Sequence, residues 1–209
     1  MSLFYNRITG QSVERVAGLS DGIFAVAMTL LVLDLHVPAR ERIHGEQDLL
    51  WALAAMGPQL STCLMSFLTL TIFWNGQQAE LNRFVRSDRH LTWMNIAFLS
   101  AVSVLPFSTR LLAEYIGFRT ALICYWVNIV VPGFLLYGIW RYAHRYGLLK
   151  EDVTHDVRCA IERRILTAQA LYAFGAALCV FNTYASIGFI VLVQLNFAIA
   201  PRILRLNRF

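Results

Sequence analysis

Ionisable side chains stand within the first strongly apolar segment of this chain. Arg15, Ser20 and Asp21 precede an apolar run that continues to Leu33, and Asp34 follows that run directly. A charged side chain inside a lipid bilayer is costly, so it generally marks a contact that the protein needs. The chemistry open to these groups is ion pairing and hydrogen bonding between helices, or the attraction of cations.

Apolar residues of the same segment share one helical face. Val26, Leu30 and Leu33 follow one another at i, i+4 and i+7, and the axial rise from the first to the last is roughly 10 Å. An apolar constriction of that length gates ions by dewetting when several copies face one axis. The same spacing is typical of a helix that packs inside a bundle. The pattern alone therefore leaves a pore lining and ordinary packing open.

Signatures of soluble chemistry are absent from the sequence. It contains no GxxxxGK[ST], GxGxxG or HExxH motif and no TVGYG-type potassium filter, and its histidines and cysteines lack metal or redox spacing. No basic run interleaved with aromatic residues lies outside the apolar segments, so nucleic acid is not an expected partner. We therefore predict neither an enzyme nor a bound metal or other cofactor.

The composition places these residues in a membrane protein. Of 209 residues, 57% are hydrophobic and 15% are charged, whereas soluble domains carry about 25% charged residues. A membrane span takes about 20 mostly apolar residues, and a Gly-Pro pair predicts that the second span starts with a kink or an interfacial turn. We predict an all-α membrane protein with residues 1–209 as a single transmembrane domain, whose six spans lie at about 16–37, 49–76, 90–112, 118–140, 163–182 and 185–206.

Basic residues predict how these spans are oriented. Six spans put both termini on one side, together with the loops at 77–89 and 141–162. Fourteen of the eighteen Lys and Arg residues fall on that side, and cytoplasmic loops collect basic residues. We therefore predict a multi-pass protein of the cell membrane with both termini in the cytoplasm. The loop at 36–48 and the short turns near 115 and 183 would face outward.

The polar start of the first span and the apolar residues after it form a recognisable signature. It resembles that of the transmembrane protein 175 family, which comprises the lysosomal potassium channel and its bacterial homologues. The similarity extends to about residue 110 through Trp74 in the second span, Asn95 in the third and the segment 105–107. Three positions depart from the family pattern. Leu19 replaces a Phe, Val26 stands where Ile or Leu is more common, and Gln77 stands where His commonly follows the Trp. The matching residues of the first span are Arg15, Ser20, Asp21, Gly22, Ile23, Phe24, Ala25, Ala27, Thr29, Leu30, Leu31 and Leu33.

The resemblance implies a homotetramer in which the first helix of each six-span subunit lines a central cation pathway, permeable to potassium and moderately selective. The apolar rings of that pore would be Val26, Leu30 and Leu33. Thr29 would add a polar layer near the narrowest part, unless its hydroxyl bonds back to its own helix. Asp34 would either concentrate cations at the outer mouth or end the helix in solvent. A polar network behind the pore would comprise Arg15, Ser20, Asp21, Trp74 and Asn95.

A second function fits the same residues. In a non-conducting transporter or membrane scaffold, Arg15 and Asp21 would only form stabilising contacts between helices, and no ion flux would be measured. For Asp21 itself, we expect a hydrogen-bonding or ionic partner in Arg15 or in the third span rather than a direct contact with a cation.

Overall fold

Helices make up the regular structure of this protein over the residues described. The structure is a computed structural model that describes residues 12–199, apart from the side chains of Arg42, Ala198 and Ile199. Short 3-10 turns lie at Arg40–Arg42 and Leu178–Val180. The all-α prediction is confirmed over this part of the chain. The α-helices are α1 (Val13–Leu33), α2 (Glu46–Ala55), α3 (Gly57–Leu81), α4 (Arg89–Ser103), α5 (Leu105–Glu114), α6 (Arg119–Arg145), α7 (His155–Ala177) and α8 (Thr183–Ile199).

Prolines lie at two junctions between consecutive helices, of which the first is sharply bent. Pro58 lies in the first turn of α3, and α2 meets α3 at Met56 with a bend of 44°. Pro106 lies in the first turn of α5, directly after α4 ends at Val104. Proline lacks the backbone N–H that residues inside a helix use for hydrogen bonding. In the first turn no helical carbonyl can accept from that N–H, so proline is tolerated there. A bend at the Gly-Pro pair of the second span is confirmed, and it fits a kink as well as an interfacial turn, whereas α6 continues through Pro132 without a break.

The helices differ from the predicted spans mainly at their ends. α7 begins at His155, well before the predicted start at 163, because the Thr154 hydroxyl caps it by accepting a hydrogen bond from the Val157 N–H at 3.4 Å. α3 and α6 also continue past the predicted ends of their spans, while α1 ends at Leu33, short of the predicted 37. Helical hydrogen bonds form in water as well as in lipid, so counting apolar residues misplaces helix ends. Residues 200–206 of the last predicted span lie outside the described residues.

Several of the described helices have the length and composition of membrane spans. α1, the α4–α5 pair and α6 are long and apolar enough to cross a bilayer, and the bent α2–α3 pair qualifies if it crosses as one unit. α7 does not qualify, because its first half carries several charged side chains, and the apolar part of α8 is shorter, at Thr183–Phe197. Membrane-spanning character therefore rests on α1 to α6.

Contacts between loops hold the two ends of the bundle. At one end the loops that follow α3 and α6 pair, since the Val85 N–H donates to the Leu148 carbonyl at 2.9 Å. At the other end Arg119, at the start of α6, donates to the Val180 carbonyl at 2.9 Å. The first contact joins the two loops that we expect on the cytoplasmic side. The second joins the two short turns that we expect on the outer side.

Hydroxyl and amide groups join the helices in the middle of the bundle. The Thr109 hydroxyl donates to Ser66 Oγ at 2.6 Å, and the Ser66 hydroxyl donates to the Tyr125 oxygen at 3.1 Å. Gln194 Nε2 donates to Thr69 Oγ1 at 2.7 Å, and Thr69 Oγ1 lies 3.1 Å from the Tyr125 oxygen. All of these side chains are buried. Because apolar surface alone drives helices together only weakly in lipid, such hydrogen bonds help to hold α3, α5, α6 and α8 in place.

Gly175 lets α7 approach α8 closely. A Cβ atom at this position would lie 2.9 Å from Ile190 Cγ1 and 3.0 Å from Phe189 Cδ1. We expect Gly175→Ala to push the two helices apart and to lower the free energy of unfolding by about 1–3 kcal/mol. The matched control is Gly188→Ala on α8, where nothing lies within 4 Å of the added Cβ. Thermal unfolding in detergent measures both variants, and equal midpoints for the two would contradict this packing.

Candidate functional site

Two faces of α1 have opposite environments. Ser20 and Phe24 are 0% and 2% exposed, on the side that packs against α3 and α4. Val26, Leu30 and Leu33 are 58%, 43% and 76% exposed. With 3.6 residues per turn, positions at i, i+4 and i+7 stay on one side of the helix. The predicted apolar stripe therefore lies on a free surface of the described part of the chain, and packing within residues 12–199 does not account for it.

Small residues beside the stripe open a groove along α1. A Cβ atom added at Gly18 or Gly22 would meet nothing within 4 Å. The groove has a volume of about 400 Å³ and reaches Ser103, and apolar side chains of α1 form most of its wall. Leu19, at the position where the family carries Phe, is 49% exposed along it. This surface is available for apolar contacts with lipid or with another subunit.

The Thr29 hydroxyl bonds to its own helix. Its Oγ1 donates to the Val26 carbonyl at 2.8 Å, and the side chain is exposed beside Leu30. Thr29 was expected either to face the ion or to bond to its own helix, and the structure shows the bond to the helix. The oxygen keeps lone pairs while its proton is engaged. Thr29 can therefore still accept a hydrogen bond from water or contact a cation.

A buried chain of three polar side chains joins α1, α3 and α4. The Ser20 hydroxyl donates to Gln77 Oε1, and Gln77 Nε2 donates to Asn95 Oδ1 at 3.0 Å. Asn95 Nδ2 then donates to the Leu91 carbonyl at 2.9 Å. A glutamine amide can bridge in this way because it is a donor and an acceptor at once. Since all three side chains are buried, the chain of bonds holds α1 at one rotation about its axis.

Asp21 takes its partners from α3. Trp74 Nε1 and Gln78 Nε2 each donate to Asp21 Oδ1 at 2.7 Å. The expectation of a partner in Arg15 or in the third span is wrong, because one residue past Ser20 the helix turns toward the exposed edge of α3. Both donors are neutral, and no ion pair with Asp21 forms among the described residues. The carboxylate is therefore held in place without an opposite charge beside it.

Arg15 lies apart from both sets of contacts. Its side chain is exposed, and its backbone N–H donates to Ser12 Oγ at 3.2 Å, where Ser12 caps α1. Asp21 is six residues further on, roughly 9 Å along the helix, and within residues 12–199 the Arg15 guanidinium contacts no residue of the predicted network. The structure thus brings together Ser20, Asp21, Trp74 and Asn95, in two separate groups.

Asp34 stands where α1 ends. Its carboxylate lies 3.7 Å from the Arg110 guanidinium of α5. Arg110 also pairs with Glu114, from Nε to Oε1 at 3.1 Å. Asp34 is therefore a helix end in an exposed ion pair, turned toward α5 rather than along the apolar stripe.

Two residues that connect the network are absent from the predicted set. Gln77 and Gln78 follow Trp74 at i+3 and i+4, so the three side chains share the face of α3 that meets α1. Glu80 continues the buried side of α3 beyond Gln77, at a position where a loop is predicted. The sequence did contain a signal for these residues. The i+3 and i+4 spacing from Trp74 continues past the last apolar residue of the predicted span, so it indicates that α3 extends beyond that span.

Known potassium channels are similar in sequence to most of this chain. A family model described as the endosomal/lysosomal potassium channel TMEM175 matches residues 15–106. The chain is 31% identical over 191 residues to Potassium channel B446_29190 of Streptomyces collinus, a match that covers 90% of this chain and 84% of that protein. It is 28% identical over 190 residues to Potassium channel Cha6605_3372 of Chamaesiphon minutus, covering 88% of this chain and 93% of that protein.

A solved structure and a vertebrate protein extend the comparison. The crystal structure of a lysosomal potassium-selective channel TMEM175 homologue from Chamaesiphon minutus matches with a TM-score of 0.77 and 25% identity, over 90% of this chain and 97% of that one. The endosomal/lysosomal proton channel TMEM175 of Gallus gallus is 32% identical over 111 residues, which are 50% of this chain but only 22% of that protein.

Proposed function

Because this chain belongs to the TMEM175 family, we propose that it is a potassium-permeable cation channel. The relatives that match most of its length are named potassium channels. The proposed assembly is a homotetramer in the cell membrane, with six spans per subunit and both termini in the cytoplasm. Four copies of α1 would then surround one axis. The channel would need no bound cofactor, since K⁺ is only the ion that passes.

The exposed apolar stripe on α1 carries this proposal. Val26, Leu30 and Leu33 are free on the subunit surface, while the opposite side of the helix is packed and hydrogen-bonded. Four stripes turned toward one axis would form three apolar rings, with the Thr29 oxygens between them. Apolar rings exclude water and raise the energy of an ion that enters. Such a constriction restricts flux strongly but selects only moderately between potassium and sodium.

The two hydrogen-bonded groups behind α1 would act as the support of this pore. The Ser20–Gln77–Asn95 chain fixes the rotation of α1, and the Asp21 contact with Trp74 fixes its distance from α3. A helix that lines a pore needs this rigidity. A small rotation of α1 about its axis would turn Leu30 out of the lumen and bring a neighbouring side chain into it. Arg15 would then face the pathway near the cytoplasmic end rather than the network.

Asp34 is proposed to sit at the outer mouth of the same pathway. Its ion pair with Arg110 supplies a positive charge beside each carboxylate. Four such pairs would attract cations less strongly than four free carboxylates. The outer mouth would thus make a modest contribution to cation entry.

Potassium flux into liposomes tests the proposed function. Under a potassium gradient, liposomes that contain the purified protein should show flux well above that of protein-free liposomes, and a matched sodium gradient should give less. Native mass spectrometry of the same preparation should show four subunits. Flux equal to that of protein-free liposomes would contradict the channel and favour the non-conducting transporter or scaffold.

A further inference from the structure

A cavity lies inside each subunit, away from the exposed stripe of α1. It is lined by α3, α6, α7 and the last described turns of α8, and its volume is about 80 Å³. One water needs about 10–15 Å³ of such space. The cavity can therefore hold several waters or one ligand of a few heavy atoms. No residue of α1 lines it, so it is separate from the proposed pore.

Polar atoms without partners face into this cavity. Glu80 is 2% exposed, and among the described residues neither of its carboxylate oxygens has a hydrogen-bond partner. Gln169 Oε1 and the Tyr172 hydroxyl, which line the same space, are also buried without a partner in that part of the chain. A buried polar group without a hydrogen bond is costly, and a buried carboxylate more so. Three such groups around one space make it a candidate site for a polar or charged ligand.

The nearby basic side chains make no hydrogen bond or ion pair with Glu80 among the described residues. Arg83 Nη1 donates to the Ala79 carbonyl, and Arg164 is exposed at the open side of the cavity. Among the described residues no ion pair joins either of them to Glu80. A positively charged donor placed in the cavity would offset the cost of burying this carboxylate.

The remaining walls select the kind of cation. Phe73, Tyr172 and Phe197 line the cavity together with aliphatic side chains such as Leu136 and Ile165. Aromatic faces attract ammonium groups, and a carboxylate adds charge and hydrogen bonding. A bare alkali ion would instead need a full shell of oxygen atoms to replace its water, and the unpartnered oxygens of Glu80, Gln169 and Tyr172 form only part of such a shell. We propose that this cavity binds a small organic ammonium ion, with its nitrogen at Glu80 and its hydrocarbon part against the aromatic rings.

Binding of n-butylammonium to the full chain in nanodiscs tests this proposal. Isothermal titration calorimetry should show saturable binding at one site per subunit. Neutral n-butanol, which has the same hydrocarbon part, should show no saturable binding. Glu80→Gln keeps the shape of the side chain and removes its charge, and we expect a Kd at least about tenfold weaker. The matched control is Glu151→Gln, an exposed carboxylate in the loop after α6, which should leave the Kd unchanged.

A second variant protects the test against a folding defect in the first. Tyr172→Phe keeps the ring and removes a hydroxyl that has no partner among the described residues, so the fold should survive. The Kd should rise severalfold, because the hydroxyl oxygen can accept a second hydrogen bond from the ammonium group. The absence of saturable binding in the wild-type chain, or the same Kd in the wild-type chain and both cavity variants, would overturn the proposal. Equal binding of potassium chloride at the same concentration would assign the site to inorganic cations and would also overturn it.

Discussion

Leu30→Ser is expected to raise potassium flux through the reconstituted protein by about tenfold or more. Leu30 is exposed at the middle of the stripe, where four leucines would exclude water from the pathway. The transfer of a Leu side chain out of water is worth roughly 1.5–3 kcal/mol. A barrier lowered by about 1.4 kcal/mol increases a rate tenfold. A serine hydroxyl lets water stay in the constriction, and the liposome flux assay measures the change.

Val32→Ser is the matched control for this prediction. Val32 lies two residues along the same helix, is also more than half exposed and points about 160° away from Leu30. We expect its flux to equal that of the wild-type protein. An unchanged flux in Leu30→Ser would remove Leu30 from the ion pathway. An equal increase in both variants would indicate a general loosening of α1 instead of a wetted constriction.

Gln77→Ala is expected to lower the free energy of unfolding by about 2–4 kcal/mol. The substitution leaves the Ser20 hydroxyl and the Asn95 carbonyl oxygen buried without the partner that now joins them. Each buried polar group left in this way costs roughly 1–3 kcal/mol. Because the chain of bonds holds α1 against α3 and α4, its loss should also reduce or abolish potassium flux. Chemical unfolding in detergent and the flux assay measure the two effects.

Two further substitutions on α3 test whether the loss of stability is specific to the Gln77 hydrogen bonds. Asn75→Ala removes an exposed amide from the same helix, and we expect its stability to change by no more than about 0.5 kcal/mol. Gln77→His keeps one donor and one acceptor on a ring of similar reach, so its stability should fall between those of the wild type and Gln77→Ala. A stability for Gln77→Ala equal to that for Asn75→Ala would contradict the bridging role.

The helical fold and the apolar stripe of α1 could be predicted from the sequence. Both follow from local properties, namely the apolar run, the i, i+4, i+7 spacing and the Gly-Pro pair at the start of α3. The same features carry the family signature, so the amino-acid sequence alone was enough to name the candidate pore residues. The spacing did not decide whether these residues lie inside or outside the core of the chain. A buried stripe and an exposed stripe have the same periodicity.

The partners of the polar residues depended on the tertiary structure. Ser20 and Asp21 are adjacent in sequence, yet one joins the buried chain through Gln77 and the other meets Trp74 at an exposed edge. Arg15, although part of the same motif, contacts neither group within the described residues. Glu80 follows the last apolar residues of its span and reads as part of a loop, but α3 continues through it and buries it beside α7. Periodicity along one helix determines which side chains share a face. Which distant helix covers that face, and where the helix ends, depend on contacts between segments far apart in the chain.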